Sequence, residues 1–429
     1  MSGDPPGKNR WLIAAAAMAI HVSIGSVYAY SVYQNPLQAA QGWSLGDVTL
    51  GFTVAIFTLG IASATLGRYV ERAGPRRSGL AAAGLFGGGT VLAGVSVQLG
   101  SHVGFLLTYG VLAGIGLGVG YITPVSTLVS WFPDRRGLAT GLAVMGFGSG
   151  ALLTGPVANA LLASTSVPTT FYALGIAYFL IMVAGASYLE KPPDGWRPPG
   201  LSRDELATLE GQGVVVKSDL EYLDAAEAVR TPQFYLVWLV MFINISAGIM
   251  LLAVASNMTQ AVTGATATAA AAVVGLLGVF NGAGRIVWSS LSDYLGRTRT
   301  YGVFFAIQAV AFLALPMITD TWIFAGVLFL IITCYGGGFA CLPAYLADLF
   351  GTEELGAIHG RTLTAWSLAG VAGPTLVSRT VARTGSYRLA FQAVAALVVV
   401  GLAIVGVLWW RIDDVRQAQL AGTPHGRAH

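Results

Sequence analysis

The chain has 429 residues, 55% of them hydrophobic, and its 23 cationic and 20 acidic side chains make up only 10%, against about 25% in soluble domains. A soluble globule with so few charges would leave most of its surface apolar, and a formal net charge of +3 is too small for a nucleic-acid-binding domain. Disorder and a collagen-like chain are excluded as well. The 56 glycines are about twice the usual share of roughly 7%, which suits membrane helices whose backbones approach closely. The class is a polytopic helical membrane protein.

A spanning helix needs about 20 mostly apolar residues. Such runs fall near 11–33, 47–67, 78–98, 102–131, 138–163 and 169–189, and again near 232–258, 267–291, 301–319, 322–348, 355–379 and 387–411. The first is longer than the core of a signal peptide and many like it follow, so a span is expected there and not a cleaved leader. The division expected is an N-terminal six-helix half over 1–190, a cytosolic linker over 191–231, a C-terminal six-helix half over 232–412 and a cytosolic tail over 413–429. Cys334 and Cys341 share one expected helix. Seven residues place them roughly 10 Å apart, too far for a disulfide, so they are expected to be small residues facing a cavity or lipid.

With both termini in the cytoplasm, 19 of the 23 cations fall on that side, three (Arg379, Arg383 and Arg388) fall outside, and Arg285 stays within the membrane. That asymmetry is the positive-inside pattern, and the location expected is the cell inner membrane. Trp11, Trp43, Trp131, Trp238, Trp322, Trp409 and Trp410 lie at span ends, where an aromatic belt is expected. The halves also repeat. GRYVERAGPRR (67–77) aligns with SSLSDYLGRTR (289–299), pairing Glu71 with Asp293, Gly74 with Gly296 and Arg77 with Arg299. Pro124 pairs with Pro343, and Gly155–Pro156 with Gly373–Pro374, all at offsets between 218 and 222. Parallel six-helix repeats imply substrate handled between the halves by alternating access.

GRYVERAGPRR and its weaker copy resemble the cytoplasmic-loop motif of the major facilitator superfamily. Within it, NRW (9–11), GSVYAYSVYQNPL (25–37), WFPDRRGLATG (131–141), RTPQFY (230–235) and FNGAGR (280–285) resemble the oxalate/formate antiporter branch, which is similar to the monocarboxylate transporters. The resemblance implies an all-α integral membrane fold of twelve transmembrane helices and the transport of small carboxylates. Glu71, Arg77, Asp293 and Arg299 are implied to form a cytoplasmic latch; cations that serve only to orient the chain are the plainer alternative.

Arg285 is the most informative residue. A charge at the bilayer centre costs about 2.5–3.5 kcal/mol on insertion scales, and arginine does not escape it by deprotonating. The spans carry no acid at its depth: Asp47, Asp320 and Asp348 lie near span ends, and Asp293 is eight residues on, roughly 12 Å along a helix. A planar guanidinium holds a carboxylate in a two-pronged pair, so a substrate carboxylate is the expected occupant. The resemblance gives the matching arginine that same role. Backbone carbonyls or snorkelling to the interface are the structural alternatives. Asn281, one turn earlier, orients Arg285 or touches substrate, with an interhelical hydrogen bond as the alternative.

Oxalate-exchanging relatives carry a second intramembrane cation, a lysine on the eleventh helix, where this chain has Trp366. A single arginine beside an aromatic suits a monocarboxylate with a small apolar tail. Tyr28, Tyr121, Tyr335 and Phe339 fall where relatives line the cavity with aromatics, although buried aromatics more often serve packing. His21 shares the face of Tyr28 and has a reference pKa of about 6.5; it is the candidate for proton coupling, with a neutral interhelical hydrogen bond as the alternative. His359 and Arg361 are expected near the cytoplasmic start of span 11 as gate or interface residues. The glycine ladder of span 4 (Gly110, Gly114, Gly116, Gly118 and Gly120) reads as close packing, since no strand precedes it to make a nucleotide loop.

The function expected is a secondary active transporter of a small monocarboxylate such as lactate or pyruvate, coupled to proton symport. An oxalate:formate-type exchanger is the alternative, and a membrane carboxylate sensor is a remote one. No clustered nucleophile, metal motif or paired intramembrane acids are found, so neither an enzyme nor a cofactor is expected. The partners expected are the anion, a proton and the lipid bilayer.

Overall fold

The computed structural model describes residues 8–193, Trp196 and 223–420. Most of the expected linker, including Arg197, Arg203 and Lys217, and the tail beyond Leu420 lie outside the described residues. All described elements are helical. In chain order they are α1 (Arg10–Gly25), α2 (Ser31–Gln41), α3 (Leu45–Ala73), α4 (Pro75–Gln98), α5 (His102–Phe105), α6 (Gly114–Trp131), α7 (Arg136–Ser164), α8 (Val167–Tyr188), α9 (Ala225–Ala228), α10 (Pro232–Thr263), α11 (Ala267–Leu295), α12 (Arg297–Ala314), α13 (Thr321–Phe350), α14 (Leu355–Thr362), α15 (Thr364–Thr384) and α16 (Arg388–Leu420). Among the described residues, eleven helical stretches are long and apolar enough to cross a membrane.

The expected span at 355–379 is the exception, because it breaks at Leu363 into α14 and α15. Thr362 donates its hydroxyl to Ile358 O (3.0 Å) and Thr364 to Arg361 O (2.7 Å). Hydroxyls bonded back along the chain compete with the helical ladder and bend it. The first span is likewise interrupted: α1 ends at Gly25, a 3₁₀ turn covers Ser26–Ala29, and α2 extends past Tyr33 to Gln41. A π-helical stretch, Leu106–Ala113, joins α5 to α6.

The described parts of Met1–Val216, with Thr352–Ser367, form one compact unit, and those of Lys217–Gly351, with Leu368–His429, form a second. In the first, α4 packs on α8, α1 on α7, and α3 on both α6 and α14. The glycine ladder makes this possible: a β-carbon on Gly118 would lie 2.7 Å from Leu59 O, and one on Gly114 2.8 Å from Thr58 Cβ. In the second unit α11 packs on α13, and α16 on α10 and α12.

Both repeated loops turn in the same way. Gly74 (φ 79°) and Gly296 (φ 87°) adopt left-handed backbone, and the next helix starts at the following residue. Side chains with a β-carbon are disfavoured there. The tryptophans at span ends differ in fate. Trp11, Trp322, Trp409 and Trp410 are exposed as a belt requires, but Trp131 is buried. Its indole donates to Glu190 O at 2.7 Å and meets Trp196 edge-on at 4.8 Å, so it caps the end of the first unit and does not face lipid. Cys334 and Cys341 are free and fully buried, which rules out a lipid-facing position.

Candidate functional site

In the second unit, α11 and α13 bring Asn281, Arg285, Tyr335 and Phe339 together. Arg285 is 1% exposed. Its Nε donates to Asn281 Oδ1 at 3.2 Å, one helical turn away, and its guanidinium lies over the Phe339 ring at 5.6 Å. Tyr335 meets Phe339 edge-on at 5.3 Å. Close helix approach allows this. A β-carbon on Gly284 would fall 2.6 Å from Thr333 Cα, and one on Gly336 would fall 2.6 Å from Asn281 Oδ1. The hydrogen bond and the aromatic face fix the guanidinium plane, which a two-pronged contact with an anion requires.

In the first unit a second cluster gathers Tyr28, Tyr121, Trp366 and His21. Tyr121 lies 5.9 Å from Trp366 and stacks on His21 at 5.2 Å; Tyr28 lies 6.1 Å from Trp366. Two residues absent from the expected cavity lining complete the cluster. Phe147 of α7 contacts Tyr28 (5.0 Å), Tyr121 (5.2 Å) and Trp366 (5.8 Å) edge-on, and His359 of α14 lies 5.8 Å from Tyr121. Phe147 sits among the glycines and alanines of span 5, where no pattern marks it. A β-carbon on Gly25 would collide with the Phe147 backbone, so the ring's place follows from a helix contact invisible in the sequence.

The loop residues sort into two groups of contacts. Glu71 accepts the backbone N–H of Gly356, in the first turn of α14, at 2.7 Å, and lies 3.7 Å from Lys191 Nζ. Arg68 pairs with Glu354 at 3.0 Å. Arg77 is exposed. In the second unit Asp293 pairs with Arg297 at 2.5 Å, and Arg297 also bonds Asp348 at 3.1 Å and the Ser292 hydroxyl. Arg299 instead stacks over Trp409 at 5.3 Å. Arg297, one turn beyond Asp293 and just after the left-handed glycine, is therefore the arginine at the centre of this network. A further buried polar chain was also hidden among apolar residues: Gln308 donates to Asn244 Oδ1 at 3.0 Å, and Asn244 donates to Cys334 O at 3.4 Å. Among the described residues no three His, Cys, Asp or Glu side chains gather as a metal site.

Comparison with known proteins gives this architecture its context. The family model of the Major Facilitator Superfamily matches residues 13–374 and, separately, 237–428. The chain is 29% identical over 369 residues to the oxalate:formate antiporter of Oxalobacter formigenes, covering 85% of this chain and 83% of that one. It is 26% identical over 392 residues to apicoplast pyruvate carrier 1 of Toxoplasma gondii, covering 78% and 69%. Among solved structures, the proton:xylose symporter XylE superposes with a TM-score of 0.69 at 17% identity, over 92% of this chain and 94% of that one. That likeness shows the twelve-helix fold. The chain is a multi-pass membrane transporter, not an enzyme, and it belongs to the Major Facilitator Superfamily.

Proposed function

We propose that the protein moves a small monocarboxylate of the lactate or pyruvate kind by alternating access, in symport with a proton. It does so in the cell inner membrane with both termini cytoplasmic. The observation that carries the reading is Arg285: a buried guanidinium held in one plane by Asn281 and Phe339, in a chain whose relatives include proteins named for oxalate, formate and pyruvate. The carboxylate is taken by the guanidinium fork, which Asn281 and Phe339 orient. Tyr335 and Phe339 offer the anion one hydroxyl and an apolar wall in the same unit. Tyr28, Tyr121 and Trp366 are assigned to substrate as well, supported by their gathering in one buried cluster. Glu71 and the Asp293–Arg297 pair hold helix ends on the cytoplasmic side, with Arg77 and Arg299 as peripheral members.

Oxalate:formate exchange is the second reading, favoured by the 29% identity to the Oxalobacter antiporter. Trp366, at the place of the lysine found in oxalate-exchanging relatives, favours the monocarboxylate. Uptake of labelled lactate or pyruvate into proteoliposomes separates the two. Symport predicts accumulation driven by an inward proton gradient. Uptake that ignores the gradient and is stimulated by internal anion assigns exchange, and no uptake of either acid rejects the monocarboxylate.

A further inference from the structure

His21 is completely buried in the first unit, and its two ring nitrogens face two different backbone carbonyls. Nδ1 is 2.6 Å from Ala143 O of α7, and Nε2 is 3.0 Å from Tyr121 O of α6. A neutral imidazole has one N–H donor and one bare acceptor nitrogen, whereas an imidazolium has two donors. In the neutral form one bare nitrogen must therefore face a carbonyl oxygen at hydrogen-bonding distance. In the protonated form both contacts become charge-assisted hydrogen bonds, and the ring also stacks on Tyr121 at 5.2 Å, an arrangement that favours a cation.

We propose that His21 is the proton-binding site of this transporter, a cradle of two carbonyls from two helices that accepts one proton on the otherwise bare ring nitrogen. The proton comes from water and returns to water, and no other bond is made or broken. Placing the proton here rests on the symport reading above; the two-carbonyl cradle does not. The groups facing His21 can be named helix by helix. From α6 comes Tyr121, and beyond that ring His359 of α14. From α7 come Ala143 and Phe147, and α8 meets α1 at Gly185, against Ala16 and Ile20. Tyr28 follows two turns along the chain. His359 contrasts with His21: it is 1% exposed, and neither ring nitrogen has a hydrogen-bond partner among the described residues. A charge there would have no acceptor, so His359 stays neutral and the single proton falls to His21.

The cradle also explains how the proton is let go. Its two acceptors sit on α6 and α7, and α1 lies so close to α7 that a β-carbon on Gly150 would be 2.7 Å from Gly25 Cα. A shift of α1 against either helix removes one carbonyl and with it the need for the second N–H. Proton release is thereby tied to helix movement within this unit.

Two measurements on the full chain test the proposal. The first follows isotope-labelled histidine ring nitrogens by magnetic resonance in lipid nanodiscs, with His21 assigned through His21→Gln. Between about pH 8 and about pH 5, the range in which histidine serves as a switch, His21 should pass reversibly from one N–H to two. A ring that keeps one bare nitrogen throughout overturns the proposal, whatever the substrate is. The second compares His21→Gln and His359→Gln in proteoliposomes with labelled pyruvate. His21→Gln should lose accumulation driven by a proton gradient while keeping pyruvate–pyruvate exchange at equal pH; His359→Gln should keep both. Gradient-driven accumulation by His21→Gln, or its loss in His359→Gln alone, refutes the assignment. If the wild type takes up no pyruvate, the symport reading fails while the ring titration still decides the cradle.

Discussion

Glu71 offers a contact whose strength can be worked out before it is measured. Gly356 lies in the first turn of α14, where backbone N–H groups have no acceptor within the helix, and Glu71 supplies one at 2.7 Å. A hydrogen bond to a charged acceptor contributes about 1.5–3 kcal/mol, and a carboxylate at a helix N-terminus adds about 0.3–1 kcal/mol. Glu71→Ala should therefore cost about 2–4 kcal/mol. Lys191, 3.7 Å away with its side chain 56% exposed, adds little, since exposed pairs are worth about 0–1 kcal/mol. Glu71→Gln keeps a neutral acceptor and should lose about half as much as the alanine variant. Thermal unfolding of the purified full chain should fall by about 4–16 °C for Glu71→Ala, taking about 2–4 °C per kcal/mol for a unit of 150–250 residues. Lys191→Met should barely move it. Equal losses from the Gln and Ala variants would show that charge, and not the hydrogen bond, carries the contact. A loss from Glu71→Ala no larger than from Lys191→Met would refute it outright.

Other consequences are as direct. Arg285→Gln should abolish stabilisation of the protein by added pyruvate, read as a thermal shift, while leaving the unliganded midpoint in place; a retained shift would put the carboxylate elsewhere. Arg297→Met removes the guanidinium that pairs with both Asp293 and Asp348 and should cost about 3–5 kcal/mol, whereas Arg299→Met removes a stack on Trp409 worth about 0.5–1 kcal/mol. Unfolding midpoints that rank the two in the opposite order would contradict the network. Gly150→Ala should destabilise by about 1–3 kcal/mol through overpacking. Gly155→Ala, with nothing within 4 Å of its added β-carbon, should gain about 0.5–1 kcal/mol from helix propensity, a contrast readable in the same melts.

The spans and the repeat were legible because they follow from bulk rules. Twenty apolar residues cross a bilayer, and a left-handed turn wants glycine, so Gly74 and Gly296 announce both loops. Arg285 was legible for the same reason, as a charge where charges are expensive. The break at Leu363 was not, since no glycine or proline falls at 361–365 to mark it. Nor was the choice of Arg297 over Arg299, because the repeat alignment pairs Arg299 with Arg77 and leaves Arg297 opposite Pro75. Phe147 and the carbonyls around His21 were beyond reach too. They depend on how closely α1 approaches α6 and α7, which no single helix encodes.

The two cysteines, fully buried in α13, make the native chain a ready-made blank for chemical mapping. Thiols shielded on all sides do not meet a water-soluble maleimide while the fold holds, so the folded protein should stay unlabelled until detergent denaturation exposes Cys334 and Cys341. A cysteine placed at an exposed position such as Tyr69 or Tyr294 would then report accessibility against a silent background. The working cycle of the transporter could be followed one position at a time without first stripping the protein of its own sulfur.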